Sequence, residues 1–176
     1  RWMHPPAFGE GLDAIATAAN ADPLLFRALI RRESTFRRDA RSPAGAEGLV
    51  QLMPYTAERL AVVLGSDGAA PADLRDPSTS LSLGAAYLGL LTDRFVEPVA
   101  VLAAYNGGPG PIAAWVAGHA GRPIDECVEE LPFRETRRYV KVVMAAFATY
   151  RHLDSGEPAA LDGTRPLPKA RDGVAF

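Results

Sequence analysis

Prolines mark the points along this chain where helical apolar spacing begins. Pro23, Pro54, Pro77 and Pro98 each stand at the head of such a run, and two of them follow aspartate, as Asp22-Pro23 and Asp76-Pro77. An aspartate can accept bonds from the free N–H groups of a first helical turn. Proline at the next position has its φ already set and lacks only an N–H that has no partner there. After Pro23, an advance of about 100° per residue gathers Leu25, Phe26, Leu29 and Ile30 on one stripe and puts Arg27 and Arg31 on the opposite side. Leu81, Ala85, Leu88 and Leu91 repeat the pattern after Pro77, as do Val101, Leu102 and Tyr105 after Pro98. Further helices are expected over 11–20, from Pro54 onward, briefly over 112–116, and over 133–152, where Val140, Val143, Met144, Phe147 and Tyr150 have core spacing. No stretch alternates polar and apolar residues over a useful strand length, and no internal repeat is visible. The expected fold class is all-α.

Of 176 residues, 48% are hydrophobic and 23% charged, enough to bury a core and most simply one domain. A net charge of -2 supplies no basic field, so nucleic acid is not an expected partner. Arginines cluster at 31, 32, 37, 38 and 41 and at 134, 137 and 138; each cluster reads as an anion-binding wall or, more plainly, as a solvated face with local ion pairs. The single cysteine, Cys127, can form no internal disulfide, and the scattered His4, His119 and His152 suggest no metal site. No apolar run is long enough for a membrane span, and no signal peptide is present. The start Arg1-Trp2-Met3 suggests a processed or excised piece. The tail from Asp154 to Phe176, with Pro158, Pro166 and Pro168, reads as a linker or extended surface strap rather than core.

Three segments invite a chemical reading. In "RRESTF", Glu33 falls within the apolar stripe, four residues after Leu29 and three after Ile30. A carboxylate turned toward a core tends to hold its proton near neutral pH, as a general acid must. On the plainer reading Glu33 ends the helix and turns to water or to Arg37. In "SPAGAEGLVQLMP", Gly45 and Gly48 permit positive φ or close backbone approach, in an ordinary turn as much as in a ligand loop. Gln51 sits among apolar residues, where an amide needs a partner or a ligand. In "AAYNGGPG", Asn106 to Gly110 reads as a helix stop, with Tyr105 and Asn106 also able to present a phenol and an amide to a sugar.

Taken in order, "ALIRRESTF", "SPAGAEGLVQLMPYTA", "DPSTSLSLGAAYL", "AAYNGGPGPIAAW" and "LPFRETRRYVKVV" resemble the motif series of the soluble lytic transglycosylase catalytic domain, a lysozyme-like family. The "PFRETRRYV" element resembles its large soluble periplasmic branch. The resemblance implies a lysozyme-like helical domain with a substrate cleft over 23–153, a connector or leading helix over 1–22 and a tail over 154–176. It makes Glu33 the single catalytic acid. Ser42, Gln51 and Met53 match one wall of the sugar-binding cleft, Tyr105 and Asn106 the other, and Glu135, with Tyr139 and Arg138 beside it, a further lining.

The implied reaction cleaves the β-1,4 bond between N-acetylmuramic acid and N-acetylglucosamine in peptidoglycan, leaving a 1,6-anhydromuramyl end, with no metal or cofactor. The implied partners are peptidoglycan strands and further domains of a longer parent, and the implied location is the periplasm or cell envelope. Asp39, Glu47, Glu58 and Glu135 stay open as a second carboxylate, so a hydrolytic muramidase of the goose-lysozyme kind is the nearest alternative. A non-catalytic wall-binding scaffold is the other.

Overall fold

A computed structural model describes residues 9–65, 73–156 and 162–172 of the chain. His4, the start of the expected connector, most of the loop at 65–75 and Pro158 in the tail therefore lie outside the described residues. The described residues contain eight helices and no strand, only isolated bridges, so the all-α expectation holds. The helices are α1 (Gly9–Ala18), α2 (Pro23–Ser34), α3 (Pro54–Val63), α4 (Pro77–Phe95), α5 (Pro98–Gly107), α6 (Pro109–His119), α7 (Ile124–Glu129) and α8 (Arg134–Ser155). The chain folds as two compact units, dividing within α4 between Gly89 and Leu90. Among the described residues, no helix is long and apolar enough to cross a membrane.

In the first unit the two Asp-Pro starts behave as local chemistry dictates. Asp22 Oδ1 accepts from the backbone N–H groups of Leu24 (2.8 Å) and Leu25 (3.1 Å). Asp76 Oδ2 accepts from the N–H of Thr79 (2.8 Å) and from the hydroxyls of Ser78 and Thr79, which together hold its carboxyl below the ordinary value. Leu25, Phe26, Leu29 and Ile30 are buried, as are Leu81, Ala85 and Leu88. Arg27 departs from expectation: it is buried rather than facing water, because α1 packs against α2 and Asp13 of α1 takes its guanidinium in an ion pair. The periodicity of α2 marks only its own apolar stripe, and α1 covers part of the opposite side.

In the second unit α5 packs against α6 and α8. The "NGGPG" stop differs from the expected one. Gly108, at φ 86°, ends α5, but Pro109 begins α6 at once, so the expected short helix at 112–116 runs from Pro109 to His119. The six residues of α7, less than two turns, carried no readable period, yet they bury Ile124, Cys127 and Val128. On α8, Val140, Val143, Phe147 and Tyr150 are buried at the expected spacing.

Residues 162–172 form an extended strap. It exchanges backbone bonds with the segment before α7 and with the first turn of α7: Gly121 N–H to Leu167 O and Leu167 N–H to Arg122 O, both 2.8 Å, then Ile124 N–H to Arg165 O and Asp125 N–H to Gly163 O, both 3.0 Å. The strap is not purely surface, since Leu167 is buried.

Candidate active site

Glu33 is the penultimate residue of α2 and half-buried. The chain turns sharply just beyond it. Thr35 (φ 51°) and Phe36 (φ 63°) both adopt the left-handed conformation without glycine. Each such residue costs roughly 1–2 kcal/mol and persists only where the surroundings enforce it. Two fixings are local: the Thr35 N–H bonds Arg31 O (3.2 Å), and the hydroxyl of buried Ser34 donates to Ile30 O (3.3 Å). Glu33 is thus held at a helix terminus whose exit path is conformationally costly, the kind of local strain that gathers at functional sites.

The loop after α2 is built on its own backbone. Ser42 N–H donates to Ala46 O (2.9 Å) while Ser42 Oγ accepts from Ala46 N–H (3.0 Å), leaving the Ser42 hydroxyl proton for another partner. Gly48 N–H donates to Ala40 O (3.0 Å). Gly48 sits at φ 80°, and a Cβ there would stand 1.8 Å from the carbonyl oxygen of Leu74, so the close approach proposed for this glycine is real.

Gln51, half-buried and itself at φ 50°, donates its amide to Ala40 O (3.0 Å) and Gly48 O (2.9 Å). Its side chain therefore ties the loop together, and Oε1 is the atom left to accept from a ligand. Met53, at the N-terminal boundary of α3, is 41% exposed, uncommon for so apolar a side chain and suited to surface contact. Glu47, one of the four carboxylates left open as a second catalytic group, is paired with Arg41 (3.3 Å) and Arg75 (3.4 Å). Asp39 and Glu58 are exposed.

In the second unit, Tyr105 and Asn106 occupy the last turn of α5 and are half-buried. Asn106 Oδ1 accepts from the hydroxyl of Thr136 on α8 (2.7 Å). That bond fixes the amide's orientation and turns its NH2 group away from Thr136. Thr136 was not among the sequence candidates, although a signal existed: it is the one polar residue in the register of Val140, Val143 and Phe147. Glu135 is exposed in the first turn of α8, where the helix dipole favours an acidic side chain. Tyr139, one turn on, is only 2% exposed and packs inside its unit, so its ring backs the surface instead of forming it.

The arginine clusters do not act as blocks. Arg41 pairs with Glu47, and Arg137 donates to Leu131 O (2.9 Å). The Arg122 and His119 side chains bind Glu130 and hold its carboxyl down at about 2.

The transglycosylase SLT domain matches residues 12–128, a span that holds Glu33, Ser42, Gln51, Met53, Tyr105 and Asn106 and stops short of Glu135 and Tyr139. The soluble lytic murein transglycosylase of Escherichia coli K12 is 39% identical over 141 residues, covering 78% of this chain and 22% of the relative. That of Salmonella typhimurium is 41% identical over 138 residues, covering 76% and 21%. Among solved structures, the 70 kDa soluble lytic transglycosylase of Escherichia coli superposes with a TM-score of 0.84 at 33% identity, over 93% of this chain and 27% of that one. An inactive glutamate-to-glutamine form of Pseudomonas aeruginosa lytic transglycosylase Slt gives 0.82 at 34% identity, over 94% and 27%. The chain thus spans between about a fifth and a quarter of the length of these relatives. On the match across two thirds of its residues, the chain belongs to the transglycosylase SLT domain family.

Proposed function

We propose that the chain is the catalytic part of a peptidoglycan lytic transglycosylase and that Glu33 carries the reaction as acid and then as base. The observation that bears most weight is Glu33 itself: a half-buried carboxylate at a strained helix exit, inside the matched family span. The names of the relatives support the substrate, and the inactive glutamate-to-glutamine form of one of them supports a need for a glutamate carboxyl group in that enzyme.

In the proposed reaction, protonated Glu33 donates to the oxygen of the β-1,4 bond after N-acetylmuramic acid, and the C1–O bond breaks as the ring gains oxocarbenium character. The substrate's own acetamido group assists at C1. The ionised Glu33 then takes the proton of the same sugar's C6 hydroxyl, whose oxygen closes onto C1. Glu33 ends as it began, and no water is consumed. A group held on the same ring reaches an effective molarity on the order of 10⁵ M, enough to outrun water at about 55 M. One carboxylate therefore suffices.

The supporting contacts come from side chains in each unit. In the first, the Ser42 hydroxyl proton, Gln51 Oε1 and the exposed Met53 contact the glycan. In the second, Tyr105, the Asn106 NH2 group and exposed Glu135 do so, with Tyr139 acting from behind Glu135. The working location is the periplasm or cell envelope, where this substrate lies, and the chain acts within a longer parent protein, in keeping with its share of the relatives' length.

The test is Glu33→Gln, an isosteric change that cannot donate the proton. It should keep the circular dichroism spectrum and co-sedimentation with purified peptidoglycan and lose release of soluble fragments. Retained turnover in that variant removes Glu33 from the mechanism.

A further inference from the structure

The second unit contains a cavity of about 130 Å³ that involves none of the residues proposed to touch glycan. Its floor is hydrocarbon: Val99 of α5, Ile124 and Val128 of α7, Val140 and Met144 of α8. Into this floor the chain sets the carboxylate of Glu97, the residue before α5, whose side chain is only 9% exposed. Among the described residues its one side-chain partner is Arg165 of the strap, itself 57% exposed, with Nη2 at 3.4 Å from both carboxylate oxygens. Charge-assisted bonds of this type close to about 2.7–2.9 Å, so the pair is loose. Burial pushes the Glu97 carboxyl above its ordinary value, with Arg165 opposing. A carboxylate withdrawn from water with so weak a partner is costly unless something further completes it.

The charges at the mouth say what that would be. Asp125 and Asp162 line it with Glu97, against Arg165 and Lys141. Lys141 is already engaged by Glu129, which is not part of the wall, so three carboxylates face one guanidinium, that of Arg165, which is loosely paired with Glu97. An anion is repelled, and a neutral hydrocarbon leaves Glu97 as it was. Its volume is a little below that of an apolar cavity of about 150 Å³ known to take up benzene, which leaves room for a short aliphatic chain.

We propose that the open cavity lined by α5, α7, α8 and the strap binds an aliphatic primary ammonium, its charge on Glu97 and its hydrocarbon stem along Val99, Val128, Val140 and Met144. Glu97 supplies the acceptor, Asp125 and Asp162 keep the entrance negative, and Arg165 shifts on the exposed strap to admit the second cation. The site does not depend on the activity proposed for Glu33. The same chemistry is carried by a free alkylamine and by a lysine side chain.

The test titrates the whole chain with n-butylammonium, n-butanol and N-acetyl-lysine amide while following the methyl NMR signals of Val99, Val140 and Met144. Saturable shifts are expected with n-butylammonium, at least ten-fold tighter than with n-butanol. Glu97→Gln should erase that preference with the spectrum otherwise retained, and Val128→Phe should block both ligands by filling the space. Binding of the lysine amide as well identifies a side-chain guest, and its exclusion a free amine; both outcomes support the site. Absence of a saturable shift with n-butylammonium, equal affinity for n-butanol, or undiminished ammonium preference in Glu97→Gln overturns it.

Discussion

Two glycines in one loop allow backbone strain and steric contact to be separated. Gly45 (φ 93°) and Gly48 (φ 80°) share the left-handed region, but a Cβ at Gly45 meets nothing within 4 Å, whereas one at Gly48 stands 1.8 Å from Leu74 O and 2.8 Å from Ser80 Oγ. Gly45→Ala should cost only the conformational penalty, roughly 1–2 kcal/mol. Gly48→Ala carries that penalty and adds the displacement of a backbone carbonyl, which no rotamer change relieves, so overpacking contributes about 1–3 kcal/mol more. At roughly 2–4 °C per kcal/mol for a chain of this size, the second variant should melt about 2–12 °C below the first. The consequence extends to function. Gly48 also supplies the carbonyl that Gln51 Nε2 binds and the N–H that reaches Ala40 O, so its displacement should lower peptidoglycan cleavage as well. Thermal melts by circular dichroism, paired with fragment release, read both effects. Equal melting temperatures for the two variants would refute the steric account of Gly48.

Asp22→Ala should destabilise by about 0.5–2 kcal/mol through loss of the two N–H partners that open α2, measurable by urea denaturation. Asp13→Asn strands the buried Arg27 guanidinium; the full penalty for breaking a buried pair is about 3–5 kcal/mol, and the half-open Asp13 reduces it to roughly 1–3 kcal/mol in the same assay. Thr136→Val should leave the melting temperature within a few degrees yet raise KM, because Asn106 loses its orienting bond; unchanged KM would assign that bond to packing alone. Glu97 sets a pH dependence of definite sign. Its folded pKa lies above the ordinary value, so across that interval the folded state binds more protons than the unfolded one and stability falls as pH rises. The stability of Glu97→Gln relative to wild type should therefore increase from the ordinary carboxylate value of 4.5 upward and level off above the folded pKa; a difference independent of pH would contradict the shift.

Much of the helical order was readable because its signals are local. Asp22 and Asp76 start helices with bonds to residues two and three positions away, and the apolar stripes of α2, α4 and α8 need only a 3.6-residue period. What escaped depends on partners distant in sequence. The burial of Arg27 comes from Asp13, 14 residues earlier, and the setting of Asn106 from Thr136, 30 residues later. Gln51 read as an amide in search of a partner; its donors reach Ala40, 11 residues back, as well as nearby Gly48, so part of its role is to hold the loop. Six-residue α7 was too short for periodicity to register, and Leu167 was an isolated apolar residue among prolines until its bonds to Gly121 and Arg122 gave it a place. Glu33 lies between these cases. Periodicity turned it inward and the structure leaves it half-buried, while its chemical role came from the resemblance of the motif series.

The central claim is that one carboxylate, Glu33, cleaves the glycan without water. Mass analysis of soluble products released from purified peptidoglycan in ¹⁸O-labelled water tests it most directly, with wild type and Glu33→Gln side by side. The account predicts 1,6-anhydromuramyl ends, lighter by one water and free of label, from wild type alone. Reducing muramic ends carrying ¹⁸O, or anhydro ends still released by Glu33→Gln, would contradict it.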